Sequence, residues 1–163
     1  MKKGLKKKMK INWKLLILSF IIVYAAAFIG GLFTSQGTNS SWYQSIKPSL
    51  TPPNWVFPIV WNILFFLIAL SLYFSLINSK NKSLKLKVGI VFAINLILNI
   101  LWSVFYFSLK KPLFAFFDLI LLWFSIILMI LITYRVDKKS SLLLLPYLLW
   151  VSFAGILNYL SAF

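Results

Sequence analysis

Apolar residues along this chain gather into five long runs, at about 13–33, 55–77, 88–109, 113–134 and 142–162, with polar residues between them. At about 1.5 Å of rise per residue, a helix of roughly twenty residues crosses the ~30 Å hydrocarbon core of a bilayer. The pattern predicts an all-α membrane protein, a five-transmembrane-helix bundle forming one domain over 13–163. A basic segment, 1–12, precedes it, and a single long loop falls at about 34–54. The first run follows a lysine-rich start, as a signal peptide does. Its length exceeds the ~7–15 residues of a signal core, and no clear small-x-small site closes it, so it reads as a retained helix.

Composition supports this reading. Hydrophobic residues make up 61% of the chain and aromatic residues 18%, and the mean hydropathy is +0.92. A soluble domain of this size cannot cover so much apolar side chain with polar surface. Cysteine and histidine are both absent. That excludes disulfides, His/Cys zinc sites, Cys or His nucleophiles and a haem held by those ligands.

The net charge of +15 reads as topology and not as a nucleic-acid footprint, because the basic residues sit at the ends of the apolar runs. Lys2, Lys3, Lys6, Lys7, Lys8, Lys10 and Lys14 precede the first run. Lys80, Lys82, Lys85 and Lys87 follow the second, and Arg135, Lys138 and Lys139 follow the fourth. The opposite side carries only Lys47, Lys110 and Lys111. By the positive-inside rule, in a cell membrane the N-terminus is cytoplasmic and the C-terminus outside.

In the long loop, residues 35–41 are polar and read as mobile. Pro48, Pro52 and Pro53 stiffen the second half. Thr51 before Pro52 reads as a helix N-cap with proline at the first helical position. The loop would then deliver Trp55 onto the second helix and act as a lid.

Tryptophan in membrane proteins collects at the water interface, yet Trp61, Trp102, Trp123 and Trp150 lie well inside the runs. Several buried indoles, each needing a partner for its N–H, point to an aromatic-walled cavity for a flat, apolar ligand. Asn95, Asn99, Trp102 and Tyr106 share one face of the third helix. Two amides there either only join helices by hydrogen bonds or also face a ligand. Tyr147, Trp150, Ala154 and Asn158 form a matching face on the fifth helix, and Trp61 and Phe65 lie one turn apart on the second.

Asp118, one of two acids, lies inside the fourth helix; a structural polar link that caps or joins helices is the expected role. Trp123 points to a different face from Asp118. Gly89 and Ala93 form a small-xxx-small pair and are the candidate dimer contact. Ala26–Gly30 and Ala27–Gly31 have the same spacing.

Several segments together resemble one family. Trp42-Tyr43, followed by Lys47-Pro48-Ser49-Leu50-Thr51-Pro52-Pro53-Asn54-Trp55-Val56-Phe57-Pro58-Ile59-Val60-Trp61, resembles the hallmark of the TspO/MBR family. These are the tryptophan-rich sensory proteins related to the mitochondrial translocator protein, or peripheral benzodiazepine receptor. Residues 95–107, the Asp118 to Trp123 run, and 145–154 with Asn158-Tyr159 resemble the family's third, fourth and fifth helices. The resemblance covers nearly all of the chain after the basic start.

It implies a five-helix bundle, often a homodimer, that binds porphyrins (protoporphyrin, haem) and other apolar ligands under the first loop. Family members are linked to tetrapyrrole and sterol handling and to stress signalling. Ligand contacts carry over to Tyr43, Trp61, Phe65, Asn99, Trp102, Trp150 and Ala154; Tyr43 comes from the resemblance alone. Asn95, Tyr147, Asn158 and Lys47 are secondary candidates, with Lys47 placed to meet a ligand carboxylate.

Three departures stand out. Leu50 replaces a usual tryptophan, Pro58-Ile59 replaces Gly-Pro, and no basic residue follows Tyr159, so the proposed cholesterol motif is incomplete. The expected function is a porphyrin-binding receptor or transporter with no obligatory cofactor and no metal, and not a conventional enzyme. Light-driven porphyrin breakdown at the tryptophans and a lipid or sterol carrier are the alternatives.

Overall fold

The computed structural model describes residues 11–163, so the lysines at 2–10 lie outside the described residues. Its elements are α1 (Trp13–Gly37), α2 (Ser41–Ile46), α3 (Val56–Asn78) and α4 (Lys82–Ser103), which runs on into a π-helical turn at Val104–Ser108. There follow α5 (Pro112–Tyr134), α6 (Lys138–Leu142) and α7 (Leu145–Ala162). Five segments are long and apolar enough to cross a membrane: Trp13–Ser35, Val56–Asn78, Lys82–Ser108, Pro112–Tyr134 and Lys138–Ala162. The chain is an all-α, multi-pass membrane protein.

Short polar residues start the helices. Asn12 Oδ1 accepts the Leu15 N–H at 3.1 Å, Ser40 Oγ accepts that of Tyr43 at 3.2 Å, and Asn81 Oδ1 accepts that of Leu84 at 2.8 Å. Asp137, the second acid, caps α6 by accepting from the Ser140 N–H and hydroxyl. Each such bond satisfies a donor the helix itself leaves free. Prolines 112 and 146 sit in first turns, where their missing N–H costs nothing.

α1 packs on α3 and α4, α5 packs on α4 and α7, and α7 meets α3 only thinly. Ile68, Ala69, Val88, Phe92, Ile126, Met129, Leu144 and Val151 fill the centre. Ala26 is buried in the core, and Gly30 lets α1 approach α4: a Cβ on Gly30 would stand 3.5 Å from Ser103 Oγ and 3.9 Å from Ile100 Cα. This small-residue pair is used inside the protomer. Gly89 and Ala93 stay exposed on α4, with nothing within 4 Å of a Cβ at Gly89.

The long loop differs from expectation. α1 runs on to Gly37 and α2 occupies 41–46, so the polar half holds helix where a mobile stretch was expected. Ser40 drives this by capping α2 while its own N–H and hydroxyl bond the Gly37 carbonyl at 3.0 and 2.7 Å. Nor does Thr51 cap a helix. α3 begins at Val56 after a turn in which the Val56 N–H reaches Pro53 O at 3.0 Å, and Thr51 Oγ1 is buried without a partner among the described residues.

Gly37 is required by a close approach. A Cβ there would lie 2.5, 2.7 and 2.9 Å from Cδ1, Cβ and Cγ of Phe107. Gly37→Val should lower the unfolding midpoint in detergent, by an amount matching about 1–3 kcal/mol of overpacking. Gly31→Val, at a site with open space, should leave it unchanged.

Candidate functional site

A cavity of about 610 Å³ opens in the half of the bundle under α2. That lies within the usual range for small-molecule sites, about 300–1,000 Å³. Its wall is built by the second half of α1, the first half of α3, the end of α4 and the second half of α7. Leu119 and Leu122 of α5 close the back. Tyr43, Trp61, Phe65, Asn99, Trp102, Trp150 and Ala154 all line it, as does Asn158. Asn95, Tyr147 and Lys47 are not part of the wall.

The aromatic wall is organised in pairs. Trp61 stacks on Phe65 (centroids 5.3 Å apart, 29° between planes) and Trp102 stacks on Tyr106 (5.2 Å, 24°). Trp150 meets Phe57 edge-on at 5.8 Å. The π-helical turn widens the backbone so that two consecutive residues, Tyr106 and Phe107, are both buried and both meet Tyr43. Their centroids lie 6.4 and 5.6 Å from its ring. α2 is thereby held over the cavity. Burial, with the neighbouring Tyr106 adding to it, pushes the Tyr43 hydroxyl up to about 12, so it is a neutral phenol near neutral pH.

Polar side chains behind the wall are satisfied in a chain. Asn95 donates to Ser125 Oγ at 2.8 Å and its Oδ1 accepts from Tyr147 OH at 3.2 Å. That hydroxyl accepts from Asn99 Nδ2, also at 3.2 Å. Trp102 Nε1 donates to Asn158 Oδ1 at 2.9 Å, and Asn158 Nδ2 donates to Pro112 O at 2.9 Å. Asn95 and Tyr147, offered as secondary ligand contacts, therefore join α4, α5 and α7 below the cavity. Lys47 donates to Asn54 Oδ1 at 3.1 Å and lies 5.9 Å from the Tyr43 ring centroid.

Three of the four interior indoles share the cavity. Trp123 does not; its N–H donates to Ser152 Oγ of α7 at 2.8 Å. The Trp150 N–H is buried with no partner among the described residues. Asp118 was expected to link helices, yet it is buried with Oδ2 unpartnered among the described residues. Lys111 lies over the Phe114 ring at 5.3 Å.

Sequence reasoning missed the α1 wall. Tyr24, Ala27, Phe28, Gly31 and Ser35 recur at helical spacing on one face. That spacing was present in the sequence, but α1 is apolar on every side and no polar contrast marked the face.

The sequence that builds this site is matched by known proteins. The TspO/MBR family model fits residues 19–162. The chain belongs to the TspO/MBR family. The tryptophan-rich protein TspO of Chlorobaculum tepidum is 42% identical over 154 residues, covering 91% of this chain and 96% of that protein. The protein of the same name from Archaeoglobus fulgidus is 41% identical over 145 residues, covering 88% and 92%. The translocator protein of Bos taurus is 30% identical over 135 residues, covering 81% and 79%. The TspO/MBR match thus takes in most of the first membrane segment, the other four through Ala162, the α2 region and the whole cavity wall. Among the described residues, no group of three or more His, Cys, Asp or Glu is placed to hold a metal.

Proposed function

We propose that this TspO/MBR protein is a receptor or transporter that binds a porphyrin, such as protoporphyrin or haem, in the cavity under α2. Its role would lie in tetrapyrrole handling or stress signalling, and it would not be a conventional enzyme. One observation carries the reading: Trp61, Trp102 and Trp150, from three different helices, converge on one cavity of about 610 Å³. A flat macrocycle would stack on these rings, each ring pair contributing about 0.5–1.5 kcal/mol beyond area burial. Asn99 would bond a polar edge, Ala154 leaves room beside Trp150, and Tyr43 covers the top. Lys47 is near enough on the loop to meet a carboxylate, at the cost of its bond to Asn54.

The membrane would be the cell membrane, with the lysine-rich end cytoplasmic. The exposed Gly89 and Ala93 on α4 would serve a homodimer contact. The test is quenching of tryptophan fluorescence on titrating protoporphyrin IX into protein in lipid nanodiscs, with a sterol of similar bulk as competitor. Saturable quenching that the sterol does not reverse is expected. Quenching that never saturates, or that the sterol abolishes, would overturn the porphyrin reading.

A further inference from the structure

We infer that the cavity opens sideways into the bilayer, through a slot between α1 and α3, and that its ligand arrives from the membrane and not through the aqueous loop. This inference deepens the binding reading above and rests on it. Exposure of the wall residues is one-sided. On α4, the π-helical turn and α7 the wall residues Asn99, Ser103, Tyr106, Val151 and Leu157 are buried. On α1 and α3 the wall residues Phe28, Gly31, Pro58 and Asn62 are exposed, Phe28 to 69%. All four lie within helices long and apolar enough to span the membrane, so a side opening there would face hydrocarbon.

The slot has defined ends. At its deep end Tyr24 OH donates to the Asn62 carbonyl at 3.4 Å, tying α1 to α3. Near the loop it ends at Ser35 and Asn54. From Tyr24 to Ser35 a helix rises about 16 Å. Gly31 stands within this length, and a Cβ there would meet nothing within 4 Å. Asn62 marks the slot chemically. Its Nδ2 is returned to Pro58 O at 3.0 Å, and its Oδ1 has no hydrogen bond among the described residues although the residue is exposed on a membrane helix. An amide acceptor left at a lipid-facing opening is costly unless a donor visits it. The ligand class that fits is a flat amphiphile dissolved in the bilayer, with N–H or O–H donors on its edge.

Gly31→Phe tests this by narrowing the slot. Ala25→Phe, exposed on α1 away from the cavity wall, is the control. With protoporphyrin IX delivered in vesicles, Gly31→Phe should slow association by about tenfold or more. Ala25→Phe should leave it unchanged. Unchanged association at intact affinity would overturn the slot. So would a tenfold loss of affinity at unchanged association, because Gly31 would then belong to the seat. A second arm needs no porphyrin: in bilayers of brominated phosphatidylcholine, Gly31→Phe should reduce indole quenching relative to Ala25→Phe. If the parent fails to bind protoporphyrin, the binding reading falls and this arm alone decides whether acyl chains reach the cavity. Equal quenching in the two variants would then rule the slot out.

Discussion

Tyr147→Phe should destabilise the bundle by about 2 kcal/mol, read as a lower unfolding midpoint in detergent. The residue is fully buried, and its hydroxyl serves two amides at once, donating to Asn95 and accepting from Asn99. Removing one oxygen strands two groups. In a soluble core each buried orphan costs about 1–3 kcal/mol. Within membranes the average measured hydrogen bond is worth less, about 0.6 kcal/mol, because the unfolded helices also find partners. The fully closed surroundings favour a value between these limits. Asn95→Leu with Tyr147→Phe should then cost clearly less than the sum of the two single changes, since both remove the same bond. Additive costs would show that the chain of amides is not cooperative.

Trp102→Phe should cost more stability than Trp150→Phe, by about 1 kcal/mol or more, although both remove an indole from the same wall. The Trp102 N–H holds Asn158, whose other amide end bonds the carbonyl of Pro112, so its loss strands a buried acceptor. The Trp150 N–H has no partner among the described residues, so phenylalanine there removes an unsatisfied donor and offsets part of the lost packing. Unfolding midpoints measured side by side check this. The binding reading adds a second expectation: each substitution should weaken protoporphyrin IX by about three- to tenfold, the equivalent of one stacked ring pair. Equal midpoints for the two variants would contradict the hydrogen-bond assignment, and unchanged affinities would contradict the aromatic seat.

What could be seen from the sequence follows from which signals are local. Apolar run length alone located five spans to within a few residues at most ends, because a bilayer sets a minimum that loops do not meet. The polar stripes on α4 and α7 were visible for a similar reason, since amides stand out on apolar helices. They could not reveal which amide faces the cavity. Asn99 does, whereas Asn95 is consumed by Ser125 and Tyr147. The α1 wall gave no contrast to detect. α2 was obscured by the polar composition at its start, and the beginning of α3 by prolines whose turn geometry shifted the helix start to Val56. The π-helical turn has no composition of its own.

That widened turn has a further consequence for how the roof of the cavity tolerates change. On a regular helix, adjacent side chains diverge by about 100°, and only one of two neighbours can support a given object. Here both rings bear on α2, so its seating is redundant: losing either one leaves the other in place. Mutational drift at a single one of these positions would be buffered, and only the paired loss would free the roof.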